Sequence, residues 1–316
     1  RRRYLLGAAG AVGVLVLAAT LAMSVGSVHV PFGEVWSIVG RHLLGRRTAS
    51  GAADDAIIWQ IRAPRVVLGI LAGAGLSIVG VAVQAMVRNP LADPYVMGVE
   101  SGAAAAAVSV IYLGRTHAYQ GTLGPTGAGF AGAVATLLLV FALARQGGRV
   151  SSVRLLLVGV AVSYALSGIT SFVLYASQAG RTEGSVLFWI LGGLGGAVWS
   201  QVPLAAGIVV LGFLVALAHT RPLNALATGD ASASALGISP DRLRSRLLVV
   251  SALLVAALVS IVGPIGFVGL VVPHVGRMLV GADHRRLLPA ALVLGGGRWT
   301  AFPVTWSGAP FLTECS

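Results

Sequence analysis

One feature limits this chain more than any other. Apolar runs of 14 to 22 residues follow one another from end to end: Tyr4 to Val25, Val66 to Met86, Met97 to Leu113, Gly127 to Ala144, Leu155 to Ala176, Val202 to Ala218, Leu247 to Val262 and Phe267 to Val280. A further run starts at Leu287. About 20 apolar residues in a helix cross the ~30 Å hydrocarbon core of a bilayer. Composition supports the same reading, with 56% hydrophobic residues and 10% charged. A soluble domain carries roughly 25% charge, and no soluble fold of this size hides so much apolar surface behind so few charges. The expected class is an all-α, polytopic membrane helix bundle. For the first run alone, a signal peptide is the competing reading, since Arg1 to Arg3 precede it; its length and the runs that follow favour a span.

The 22 basic residues are all arginine, against 10 acidic ones, for a net charge of +12. They lie in short clusters between apolar runs, not on a continuous basic face, which excludes nucleic-acid binding as the meaning of the charge. With the N-terminus placed in the cytoplasm, 14 fall in inner loops: Arg1 to Arg3, Arg88, Arg145, Arg149, Arg154, Arg221, Arg242, Arg244, Arg246, Arg277, Arg285 and Arg286. Seven fall outside: Arg41, Arg46, Arg47, Arg62, Arg65, Arg115 and Arg181. That bias follows the positive-inside rule. A lone cysteine, Cys315, allows no intrachain disulfide and no cysteine-based metal site.

No run carries an ionisable group near its middle; Glu100 sits near one end of the third. Ion-coupled carriers need such a group, so the energy for any transport comes from elsewhere. Without lysine there is no P-loop of the form G-x-x-x-x-G-K-[ST]. The chain does not hydrolyse ATP itself, and no catalytic triad, metal cluster or cofactor motif is present. A secondary carrier and a membrane-embedded enzyme remain the competing classes.

Several segments form an ordered pattern. Arg62-Ala63-Pro64-Arg65 opens the second run, which continues through Gly73, Leu76, Gly80 and Gln84. Asn89-Pro90-Leu91-Ala92-Asp93-Pro94 follows, then Gly98, Gly102 and Ala103. Later come Arg154 to Ala161, Trp189-Ile190-Leu191-Gly192-Gly193-Leu194, Leu223 to Gly237, Gly263 to His274, and Asp283-His284-Arg285. Together these resemble the permease subunit of ABC importers for iron-siderophore complexes, haem and cobalamin, over about Arg1 to Leu294.

The resemblance implies a ten-span permease paired with a second, identical or related, permease subunit. It implies cytoplasmic ATPase subunits and an extracytoplasmic substrate-binding protein as partners. Thr228, Gly229, Asp230, Ala231, Ser232, Ala233, Leu236 and Gly237 correspond to the loop that couples to the ATPase. Taken by themselves, these residues read as a short helix with Asp230 as N-cap and Gly237 as its left-handed stop; an ordinary inter-helix loop fits them equally. Arg62 and Arg65, three apart, correspond to arginines that dock acidic groups of the binding protein; snorkelling to lipid phosphates is the alternative. Ser151 and Ser152 correspond to a gate on the translocation path, or serve as a helix N-cap. Asn89, Pro90, Asp93 and Pro94 make a structural turn, since proline stops a helix and Asn and Asp cap local backbone. His274, isolated in an apolar run, reads as structural rather than as a ligand. Ferric siderophore is the expected cargo, with cobalamin or haem as alternatives.

The pattern decays after Leu294. The ninth run reaches only Gly295-Gly296-Gly297 before Arg298-Trp299, and residues 295–316 are too mixed for a full span. The expected division is a permease domain over 1–294 and an aberrant tail over 295–316. A frameshift or internal loss near Gly295 to Arg298 is one explanation.

Overall fold

A computed structural model describes residues 2–45, 52–93, 95, 98–113, 123–146, 149–150, 152–177 and 183–300. The fold is all-α. It opens with α1 (Arg2–Ser24), then α2 (Phe32–Leu43) and the single turn α3 (Ala52–Asp55), which continues into a π-helical stretch, Ala56–Arg62. Next come α4 (Ala63–Val87), α5 (Val99–Leu113) and α6 (Leu123–Ala144). Two-residue strands β1 (Arg145–Gln146) and β2 (Arg149–Val150) pair antiparallel in the turn to α7 (Ser152–Ser177). The rest is α8 (Glu183–Leu191), a 3-10 turn at Trp199–Gln201, α9 (Val202–Ala218), α10 (Thr220–Thr228), α11 (Asp230–Ala235), α12 (Pro240–Val262), α13 (Val268–Val280) and α14 (His284–Thr300).

Among the described residues, five helical segments are long and apolar enough to cross a membrane: Ala53–Val87, Gly124–Ala144, Arg154–Ser177, Trp199–Ala218 and Pro240–Val262. Ala9–Ser24, Val99–Leu113 and Val268–Val280 are shorter apolar helices. At 1.5 Å per residue, α5 with 15 residues and α13 with 13 span only about 20 Å. Both begin inside the bundle. Gly98, just before α5, lies against Ser163 near the middle of α7 and against Thr136 of α6. The Ile265 N–H, just before α13, donates to Tyr95 Oη at 3.2 Å. Non-helical backbone at membrane depth survives only where protein or a watered cavity surrounds it; Gly98 and Ile265 are buried, while Gly266 and Phe267 are exposed.

α4 is the central post. Nearly every residue from Ala72 to Met86 is buried. It packs against α9, α12, α13 and α14. Lipid tails are as apolar as leucine, so helices associate here through close packing of small residues, not by leaving water. Gly73 and Gly80 provide such contacts toward α14 and α13, and Gly75 on another side toward α9 and α12. A methyl on Gly80 would run into the Gly269 backbone of α13. A methyl on Gly295 would run into the Gly73 carbonyl and the Ser77 hydroxyl. The Gly295–Gly297 run therefore does not stop its helix. α14 passes through it to Thr300, with Gly295 and Gly296 against α4 and Gly296 and Gly297 against Leu15 of α1. The boundary drawn at 294/295 falls inside α14, and residues 301–316 lie outside the described residues.

Two motif segments meet. The Gly193 N–H donates to Val262 O at 3.0 Å, and a Cβ on Gly263 would sit 2.7 Å from Gly192 Cα. The break after α8 and the break before α13 thus touch backbone to backbone, which only glycine permits.

Candidate functional site

The arginine-rich end gathers the end of α4, α10, α11, the start of α12 and the α13–α14 turn. α10 stops at Gly229, whose φ of 127° and ψ of 161° suit glycine alone. The six-residue α11 follows. The Ile238 N–H reaches Ala233 O and the Gly237 N–H reaches Ser234 O, at 3.0 and 2.9 Å. With Gly237 at φ 76°, this is a Schellman stop. The N-terminus differs from the sequence reading. Gly229 is the N-cap, and Asp230 is the first helical residue with no side-chain cap bond.

Asp230 is engaged elsewhere. Arg244, in the second turn of α12, donates Nη1 to Oδ2 at 2.9 Å and Nη2 to Oδ1 at 2.5 Å. Its Nε donates to Met86 O at 3.1 Å, an otherwise open carbonyl at the end of α4. One guanidinium, only 9% exposed, therefore ties α11, α12 and α4 together. The bidentate geometry is the strong, charge-assisted kind. The Arg244 hydrogen bonds hold the Asp230 carboxyl below its ordinary range, against a smaller opposing effect of burial. Arg88 caps α4 in the left-handed region (φ 57°), and its guanidinium lies beside Gly229.

A second hub joins α10 to α14. Asn224 Nδ2 donates to Asp283 Oδ1 at 2.9 Å. Asn224 Oδ1 accepts from the His284 backbone N–H at 3.1 Å and faces His284 Nδ1 at 2.5 Å. A carbonyl oxygen only accepts, so Nδ1 carries the proton. Burial first, and then the Arg277 charge, pulls the His284 pKa down to about 4. The Asn224 amide and the Arg285 backbone N–H hold Asp283 low. An open cavity of about 450 Å³ lies over this hub, lined by Arg221, Asn224, Thr228, Leu236, Asp283 and Arg285 among others.

The turn after α4 uses its side chains on itself. Asn89 Oδ1 accepts from the Leu91 N–H at 2.9 Å, and Asp93 Oδ1 from the Tyr95 N–H at 2.8 Å. These are Asx turns. Burial raises the Asp93 carboxyl. Pro90 is exposed; Pro94 lies outside the described residues.

At the opposite end, Arg62 closes α1. It donates Nη1 to Met23 O and Ser24 O at 2.6 and 3.1 Å, and Nη2 to Val28 O at 2.5 Å. The carbonyls at a helix C-terminus have no intrahelical partner, and a guanidinium there also suits the helix dipole. Arg65 donates Nη2 to Gly195 O at 3.0 Å, while its Nε is buried without a partner. Both are half-buried. The π-helical stretch also presents Trp59. The His42 ring stacks on it at 4.3 Å, Trp199 lies tilted at 4.6 Å, and Asp55 holds His42 Nε2 at 3.0 Å.

Ser151 lies outside the described residues, and Ser152 is the first residue of α7. Beyond them, α7 exposes an unusual face. Tyr164 and Tyr175 are each 76% exposed, and Gly168 and Ser171 lie between them. The spacing of i, i+4, i+7 and i+11 makes one stripe. His274 is exposed on α13, and among the described residues no group of three or more His, Cys, Asp or Glu could hold a metal.

Sequence reading counted Arg244 only as a loop charge. The missed signal was its phase: Arg244 shares a helix face with Leu247, Leu248 and Ser251, all buried. A cation on a buried face needs a partner. The Asn224–Asp283–His284 hub joins positions 60 residues apart, and nothing local announces it.

Comparison with known proteins agrees with this architecture. The cobalamin import system permease protein BtuC of Halobacterium salinarum is 43% identical over 242 residues, 77% of this chain. The match spans 64% of that relative's length, just under two thirds. The hemin transport system permease protein HmuU of Yersinia pestis is 35% identical over 90% of this chain and 81% of its own length. The Fe(3+)-citrate import system permease protein YfmD of Bacillus subtilis is 34% identical over 80% of this chain and 76% of its own length. A solved inward-facing structure of a metal-chelate-type ABC transporter superposes with a TM-score of 0.79 at 29% identity, covering 93% of this chain and 87% of that one. The model of the FecCD transport family matches residues 14–302, and the chain belongs to that family.

Proposed function

We propose that this chain is the membrane-spanning subunit of an importer that carries a metal chelate inward, driven by ATP hydrolysis on a partner chain. The observation that carries the reading is the α7 stripe. A hydroxyl turned into hydrocarbon without a partner costs several kcal/mol, so Tyr164, Ser171 and Tyr175 belong on a watered surface, not against lipid. A second copy of the chain facing α7 encloses such a path. Aromatic rings and hydroxyls on its wall suit a large, partly apolar chelate. Ser152 begins the same helix at its arginine-rich end, where a gate belongs, and Ser151 precedes it in sequence.

In this reading α11 seats in the ATPase and the arginine-rich end is cytoplasmic, with the N-terminus on that side. Arg62 and Arg65 lie at the outer end. Arg65, with spare donors, is the stronger docking residue for an acidic group of a binding protein, because Arg62 already serves three backbone carbonyls.

Ferric siderophore is the first proposal for cargo. Cobalamin is a second reading, favoured by the 43% identity to a permease named for it. The test is ATP-dependent uptake by the purified importer in proteoliposomes, offered a ferric siderophore, haemin and cobalamin in parallel. One cargo accumulating only with ATP and binding protein supports the reading. Accumulation that follows an ion gradient without ATP overturns it.

A further inference from the structure

Gln84 is buried at 3% exposure near the end of α4, and all of its amide is used. Its Nε2 donates to Gly269 O at 3.3 Å and Leu270 O at 3.2 Å, both in the first turn of α13. Its Oε1 accepts from Arg277 Nη2, in the last turn of the same helix. The reason lies four residues beyond Gly269. Pro273 sits inside α13 and has no N–H, so the Gly269 carbonyl has no helical donor. Gln84 supplies it. Gly80, one turn earlier, lets the α4 backbone come close enough for that amide to reach.

Two residues after Gln84, Met86 O accepts from Arg244, which holds Asp230 of α11. The end of α4 is thus gripped from two sides within three residues. One grip leads to α11. The other leads to a helix with proline in its interior, where one ladder bond is missing and the helix bends most readily.

We propose that Gln84 is a positioning residue that passes motion of α11, through Arg244 and the end of α4, to the proline-kinked α13. This rests on the importer reading above and names the internal link that reading needs. α13 turns Val275, Met278 and Leu279 outward, so its movement changes the outer surface of the bundle.

The test uses the importer complex purified through a tag on this chain, in proteoliposomes, with cargo moved per ATP hydrolysed as readout. Gln84→Leu removes the link but also leaves Gly269 O without a donor. Adding Pro273→Ala restores a backbone N–H for that carbonyl, so the double variant regains thermal stability without regaining the link. The expected result for the double variant, read against Pro273→Ala alone as well as wild type, is near-wild-type stability, ATP hydrolysis within about twofold, and cargo per ATP reduced fivefold or more below both. A purely structural role for Gln84 predicts that cargo per ATP returns together with stability, and that result overturns the proposal. Pro273→Ala mends only the Gly269 carbonyl, and Gln84→Leu also frees Arg277 Nη2, so the assignment of Gln84 as donor to that carbonyl is overturned only if Pro273→Ala stabilises the wild-type and Gln84→Leu backgrounds equally. If the wild-type complex shows no ATP-linked uptake, the importer reading falls. If it does and the variants match it, only the relay falls.

Discussion

Gly80→Ala is expected to be among the most damaging single-methyl changes in this chain. The added Cβ would stand 2.7 and 2.8 Å from Gly269 C and Cα, and closer still to its carbonyl oxygen. Comfortable separations between non-bonded carbons are about 3.5–4.0 Å, so α4 and α13 must part by roughly 1 Å. Both partners are backbone, and no rotamer change relieves the clash. Overpacking of this kind costs about 1–3 kcal/mol. The shift also stretches the 3.3 Å bond from Gln84 to Gly269 O, and a buried carbonyl left open adds about 1–3 kcal/mol. A total of about 2–6 kcal/mol follows. Two controls calibrate it. Gly168→Ala on α7 meets nothing within 4 Å, and Gly212→Ala meets only the flexible end of Leu254. Thermal unfolding of the three variants in one detergent is the assay. The predicted order of stability is Gly168→Ala, then Gly212→Ala, then Gly80→Ala far below. Gly80→Ala unfolding with Gly168→Ala would refute the close approach of α4 to α13.

Other predictions follow from the same packing. Arg244→Met leaves Met86 O buried and open and Asp230 unpaired; because Asp230 is half in solvent, its share is small, and the loss read by thermal unfolding is about 2–3 kcal/mol. Gly237→Ala meets no atoms, so it costs only the left-handed backbone, about 1 kcal/mol, whereas Gly229→Ala at φ 127° costs more, about 2–3 kcal/mol. His284 has a folded pKa of about 4 against an ordinary 6.5. The unfolded chain therefore binds the extra proton between those values. Stability is complete above pH 6.5 and falls by about 1.4 kcal/mol per unit as pH drops toward 4. Melting curves from pH 7.5 to 4.5 check this, and His284→Gln is expected to flatten the slope.

The spans were legible because an apolar run long enough to cross a bilayer has few other uses. Their surroundings were not. α4 is almost wholly buried and α7 mostly exposed, yet both are apolar on every side. In water an exposed face turns polar; in lipid it does not, so the pattern that separates inside from outside is missing. On α7, Ser163, Tyr164, Ser167, Thr170, Ser171 and Tyr175 broke the uniformity, and they read as part of an apolar run. The runs that became α5 and α13 were legible, but their starts inside the bundle were not: a helix that starts mid-bundle from a glycine-containing segment has the same composition as one that starts at the surface. At the arginine-rich end, the short helix α11 was read from Asp230 and Gly237, one residue off at its N-cap, which is Gly229. The use of Asp230 did not, because its partner lies 14 residues on and is chosen by the tertiary fold. Gln84 and Pro273 carried the resemblance as motif letters, and the structure gives them one purpose, the proline-freed carbonyl.

The account stands or falls on coupled transport. The measurement is uptake of a radiolabelled metal chelate into proteoliposomes holding this chain with its co-purified ATPase, with ATP and binding protein added or withheld separately. The account predicts uptake only when both are present, and its loss when Arg65 is replaced by glutamate without loss of the folded complex. Uptake that proceeds without ATP, or a stable chain that recruits no ATPase, would contradict it.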